Sequence, residues 1–174
     1  PEGFRVIQVP YGSAGSKAEL VARDGSGRPT LAMQLLEALR VRYDSPETAW
    51  AVFKDWVTDK THPAHPWVMS LEGKVFYHGG AQSRGSNEFE GCERLVVLPW
   101  HVPKLAIEAE AHNLEALAIA TRDAGLDGVD WVDEAARSLV TASMVQVVGR
   151  MRWKGEVVLV DKRSPTDFHP AYEP

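Results

Sequence analysis

Apolar positions along the chain fall into two kinds of run. Short alternating or continuous runs predict strands: FRVIQV (Phe4 to Val9), GKVFYHGG (Gly73 to Gly80), ERLVVLPW (Glu93 to Trp100) and EVVLV (Glu156 to Val160). ERLVVLPW is apolar at nearly every position, the mark of a strand covered on both faces. Runs with apolar residues three and four apart predict helices. Thr30 caps one that reaches about Val41, with Leu31, Met33, Leu35, Leu36 and Leu39 as its apolar set. Ser45 is expected to open a second, with Pro46 in its first position and Trp50, Val52, Phe53, Trp56 and Val57 along it. LAIEAEAHNLEALAIATRDAG, closed by Gly125, and WVDEAARSLVTASMVQVVG, starting near Asp130, complete the set.

The Gly/Ser-rich stretch up to Pro29 reads as a long loop, and THPAHP (Thr61 to Pro66) as a linker whose Pro63 and Pro66 oppose a regular helix. From Lys74 onward the order is strand, loop, strand, two helices, strand. That order predicts an α/β fold with a mostly parallel sheet flanked by helices. In such sheets ligands sit at the carboxyl ends of strands, which makes the loop after Tyr77 and the helix end near Arg150 candidate neighbours.

Composition narrows the function classes. With 174 residues, 44% hydrophobic and 25% charged, the chain fits one domain over 1–174 with a sizeable core. Cys92 is the one cysteine, which excludes an internal disulfide framework and a cysteine-rich zinc site and fits a reducing, cytoplasmic setting. No run of about 18 apolar residues occurs and the start lacks a secretory pattern, so no membrane partner is expected. Net charge is -5, with acids dominating from Glu108 to Glu134 and Arg137, Arg150, Arg152, Lys154, Lys162 and Arg163 making the last third basic. A nucleic-acid contact would therefore need a local basic face.

Several constellations carry chemistry. Gln146 and Arg150 are four apart on one helix face with Gly149 beside them, a set that suits a phosphate or carboxylate; a plain helix end with Arg150, Arg152 and Lys154 meeting the macrodipole is the alternative. Arg84, Gly85, Ser86 and Asn87 place a cation, a permissive backbone position and two small polar side chains in one loop. His62 and His65 have His-x-x-His spacing but lack a third ligand, and no metal site is expected there. Trp50 and Trp56 could form a stacking surface for bases or belong to the core. His78 and His101 with nearby acids would serve a small stand-alone enzyme, although no nucleophile is placed recognisably beside them.

HGGAQSRGSNEFEGCERLVVLPWHVP followed by QVVGRMRWKGEVVLVDKR resembles the C-terminal RecA-like domain of superfamily 2 helicases. In that family a glycine-rich RGxN or RGxD loop with a strand after it is motif V, and a QxxGRxxR helix leading into a GxVVxxD strand is motif VI. The likeness covers roughly Lys74 to Arg163; residues 1–66 fit it less well and would be an insertion or N-terminal extension. It implies a three-layer RecA-like domain in which Gln82, Arg84 and Ser86 meet nucleic acid, DNA in preference to RNA. Gly85, Asn87, Gln146, Gly149 and Arg150 would face the nucleotide. Arg150 and Arg152 would be the catalytic pair, stabilising charge on the transferred phosphoryl group. The family's second arginine lies three residues after the first, where this chain has Trp153, and Arg152 comes one residue early. The chain has no P-loop: GSAGSK (Gly12 to Lys17) is too short, and Asp133 and Glu134 sit in a helical pattern instead of at a strand end. ATP and magnesium would thus be held mainly by a second RecA-like domain carrying the P-loop, and this chain alone would not turn over ATP. A non-catalytic binding module of helicase ancestry is the alternative.

Overall fold

Five runs rich in valine, leucine and aromatic residues pair into one sheet in the computed structural model, which describes residues 5–10, 19–21, 23–77, 89, 91–99, 104–121, 128–149 and 155–161. The strands are β1 (Arg5–Pro10), β2 (Thr48–Val52), β3 (Lys74–Tyr77), β4 (Arg94–Val97) and β5 (Glu156–Asp161). Their order is β1-β5-β4-β2-β3, and every neighbouring pair is parallel. This is the expected α/β class. The helices are α1 (Leu31–Tyr43), α2 (Lys54–Thr58), α3 (His65–Met69), α4 (Lys104–Thr121) and α5 (Trp131–Gly149). The chain divides into two compact units: Pro1–Pro99 with Val147–Pro174, and Trp100–Gln146.

In the first unit the three central strands, β2, β4 and β5, are buried on both faces, as expected of a parallel sheet. Trp50, Val52, Val96, Leu98, Val158 and Val160 alternate onto one face and join Leu36, Leu39 and Tyr43 of α1 in a single hydrophobic cluster. Ala49, Ala51, Leu95, Val97, Val157 and Leu159 alternate with them and are buried too. α1 starts where Thr30 predicts, its hydroxyl oxygen accepting from the Met33 amide at 3.3 Å. Residues 1–66 are no appendage, because they supply β1, α1 and β2, and β2 lies between β4 and β3.

Two expectations are corrected here. The helix expected from Ser45 is a turn followed by β2 and the short α2. Ser45 and Pro46 start a β-turn instead of a helix, with the Thr48 amide donating to the Ser45 carbonyl at 2.9 Å, and proline suits the second position of such a turn. All five residues of β2 are buried, a demand that a strand covered on both faces satisfies and an amphipathic helix does not. The second correction is α3, a helical turn within the segment read as a plain linker. Pro66 is tolerated because it stands in the first turn, where its missing N–H has no helical partner.

Trp50 and Trp56 are wholly buried, so they are core residues and not a stacking surface. Both pack against Trp67 edge-on, at centroid distances of 5.7 and 6.2 Å. Asp44 ties this cluster to the turn before β3. Its Oδ1 accepts from Trp50 Nε1 at 3.2 Å and from the Gly73 amide at 3.0 Å, and its Oδ2 accepts from the Glu72 amide at 3.0 Å.

The second unit holds α4 and most of α5. Asp130 caps α5, its Oδ1 accepting from the Val132 and Asp133 amides, both at 3.1 Å. Asp133 pairs with Arg137 one turn on, and Glu134 is exposed, so both acids lie in a helix as their pattern predicts. Ala111 of α4 and Ala135 of α5 are buried.

Candidate functional site

Because all five strands are parallel, their carboxyl ends share one edge of the sheet. Register places Val52 beside Tyr77, Ala51 beside Val97 and Val97 beside Leu159 along that edge. β3 ends there, at Tyr77. Connections from β2 run toward β3, while those from β4 run toward β5, so strand order reverses between β2 and β4. Ligand crevices in open parallel sheets form at the carboxyl side of such a reversal. Phe53, Lys54, Leu98 and Pro99 follow these two strand ends, with the Leu98 amide donating to the Ala51 carbonyl at 3.0 Å and Lys54 exposed. Sequence reasoning passes over Lys54 because it reads β2 as helix; the buried five-residue run TAWAV is the signal that would have found it.

The chain that follows α5 joins the sheet at its amino edge, where Glu93 also leads into β4. α5 ends at Gly149, and β5 begins at Glu156, at the amino ends of the strands. That entry is pinned from three sides. The Arg5 amide donates to the Gly155 carbonyl at 2.8 Å, and the Glu156 amide donates to the Glu93 carbonyl at 2.9 Å. The Glu156 carboxylate lies between Arg94, at 3.5 Å, and Arg5, at 3.9 Å. Gly155 has φ +86°, and a Cβ on it would stand 2.1 Å from the Glu93 carbonyl oxygen. The glycine before the VVLV strand is therefore a requirement of close chain approach. β5 is thus entered at the amino edge, beside the Glu93 carbonyl that leads into β4.

Of the residues that the helicase resemblance assigns to nucleotide or nucleic acid, Gln146 and Gly149 lie among the described residues. Gln146 is exposed and Gly149 half-buried at the end of α5, while Val147 and Val148 between them are buried. Anchoring by the two valines leaves the Gln146 side chain open to solvent. Gln82, Arg84, Gly85, Ser86, Asn87, Arg150 and Arg152, together with His78 and His101, lie outside the described residues.

His62 and His65 are engaged locally. Nδ1 of His62 accepts from the Ala64 amide at 3.1 Å, and Nδ1 of His65 is 3.0 Å from the Trp56 carbonyl oxygen. Among the described residues no group of three or more His, Cys, Asp or Glu side chains is placed to hold a metal ion. Cys92 is buried, and burial pushes its thiol above the usual range, opposed in part by Lys74, so it is a poor nucleophile at neutral pH. No helix of the described residues is long and apolar enough to cross a membrane. Comparison of the chain with protein-family models, with curated proteins and with solved structures finds no match.

Proposed function

We propose that this chain is the C-terminal RecA-like motor domain of an ATP-dependent nucleic-acid helicase or translocase. The observation that carries this reading is an ordered succession in one parallel sheet: β3, the RGSN loop, β4, a helix ending in QVVG, then Arg150 and the buried strand β5. On this reading Gln82, Arg84 and Ser86 bind the backbone of DNA. Gln146, whose side chain is open to solvent, Gly149, Arg150, Gly85 and Asn87 are the residues this reading assigns to the nucleotide. ATP bound with magnesium supplies a phosphoryl group for transfer, and a second domain carrying the P-loop holds most of both. The part left to this chain is electrostatic. A planar guanidinium from Arg150, or from Arg152, neutralises charge growing on the phosphoryl oxygens.

The test is ATP turnover by the full-length gene product with and without single-stranded DNA. The expected result is DNA-stimulated turnover that falls about 10³-fold in Arg150→Ala, the scale of losing an arginine finger. Absence of turnover, or turnover indifferent to that variant, would overturn the motor reading. The chain's lack of a P-loop sequence favours the second reading, a non-catalytic binding module, which that outcome selects.

A further inference from the structure

Helix α4 is apolar on two sides. Ile107, Ala111, Leu114 and Ala118 form one stripe, buried at Ala111 and half-buried at the other three positions. A second stripe, Leu105, Ala109, His112, Ala116 and Ile119, apolar except at His112, whose Nδ1 lies 3.9 Å from the Glu115 carboxylate, is exposed at every position, with Leu105 78% and Ile119 72% exposed. The steps along it are four, three, four and three residues, the spacing of a seam that packs against another helix. Glu108 and Glu115 flank this seam on one side, seven residues apart, in the position from which coiled-coil helices choose partners by charge. A helix with an apolar stripe on each of two sides has more apolar surface than one packed face covers, and α4 shows its second stripe to solvent.

We infer that the exposed stripe of α4 is a docking seam for a basic amphipathic helix of a partner protein. Charge selects that occupant. Residues 100–146 hold eight acidic and three basic side chains, a net -5 that equals the charge of the whole chain. A second copy would set this acidic helix against itself, and an anionic lipid surface or nucleic acid would be repelled. A helix carrying leucine at seam positions and lysine or arginine beside them meets both the apolar stripe and the Glu108–Glu115 flank. Ala109 and Ala116 let its backbone come close. The inference stands apart from the motor reading, since neither ATP nor the RGSN loop enters it.

The experiment is fluorescence anisotropy of the full chain with two labelled synthetic peptides of about three heptads each, one Leu/Lys and one Leu/Glu. The Leu/Lys peptide is expected to bind and the Leu/Glu peptide not. Leu105→Ala with Ile119→Ala should weaken binding at least about tenfold, because two large apolar contacts are lost. Glu108→Lys with Glu115→Lys should reverse the preference between the peptides. All the substituted side chains stand on the outward stripe or its flank, and circular dichroism of each variant verifies the helix. Binding of neither peptide would overturn the inference, as would Leu/Lys binding indifferent to both variant pairs. Sedimentation showing a dimer that Leu105→Ala with Ile119→Ala dissolves would assign the seam to a second copy and overturn it as well.

Discussion

Outside residues 100–146 sixteen acidic and sixteen basic side chains cancel, whereas inside them eight acids outweigh three bases. Burial divides the same way. In the sheet unit β2 is buried at all five positions and β5 from Val157 to Val160, and the largest side chains, Trp50 and Trp56, are wholly enclosed. In the helical unit Leu105, Leu117, Ile119 and Val132 are more than half exposed, while among its described residues the buried side chains are the alanines Ala111 and Ala135. A charge-balanced unit with enclosed aromatics holds itself together through its own core. A unit with an acidic flank and uncovered leucines is shaped for something outside itself. The two therefore respond differently to substitution.

The largest effect is expected at Trp50. Truncating it to alanine removes an indole from the middle of the core and leaves Asp44 Oδ1 without one of its donors. The cost is about 3–5 kcal/mol, the range for a large aromatic lost from a core. Urea titration read by alkylation of Cys92 checks this in the sheet unit alone. That thiol is buried and held above its usual range, so it reacts when the sheet unit opens. If Trp50→Ala left the Cys92 midpoint unchanged, the sheet unit would not be the self-supporting one.

Next comes Gly155→Ala, which adds one methyl group. At φ +86° the new Cβ would meet the Glu93 carbonyl oxygen at 2.1 Å, and the same joint carries the Arg5 and Glu156 amide bonds that start β5. A loss of about 2–3 kcal/mol is expected from backbone strain and from shifting β5 away from β4. The same Cys92 assay reads it. An unchanged midpoint would mean that the chain entering β5 gives way at no cost, and with it the requirement for glycine before VVLV.

How far this was legible in the sequence follows from the range over which each element is decided. Local signals sufficed for α1, where Thr30 caps an apolar set, and for β4 and β5, whose continuous valine and leucine runs suit strands covered on both faces. They failed at β2, because Ser-Pro-Glu-Thr serves equally as a helix start and as a turn, and only burial on both faces decides between them. Sheet order was out of reach as well: β1 and β5 pair across nearly the whole chain, and nothing near either strand names its partner. At the candidate site the motif residues stand in plain view as a string. The meeting of the chains entering β4 and β5 at Glu93 and Gly155, and Lys54 at the point where strand order reverses, depend on that order. Apolar residues around α4 are likewise visible in the sequence, whereas which stripe faces out is a property of the fold.

The smallest effect is expected where the helical unit is most apolar. Leu105→Ala with Ile119→Ala removes two large side chains from an 18-residue helix, yet both are largely solvent-exposed in the isolated chain. Alanine has the highest helix propensity, so the backbone loses nothing. Stability should change by no more than about 0.5 kcal/mol, as for exposed positions generally. Thermal unfolding followed by far-ultraviolet circular dichroism reports on α4 and α5, and Cys92 alkylation reports separately on the sheet. A loss of about 2 kcal/mol or more, the cost of emptying a core position, would show these side chains already covered within the chain and remove the difference between the two units. Unchanged stability together with lost Leu/Lys peptide binding would sharpen it, since one pair of side chains would then matter to a partner and not to the fold.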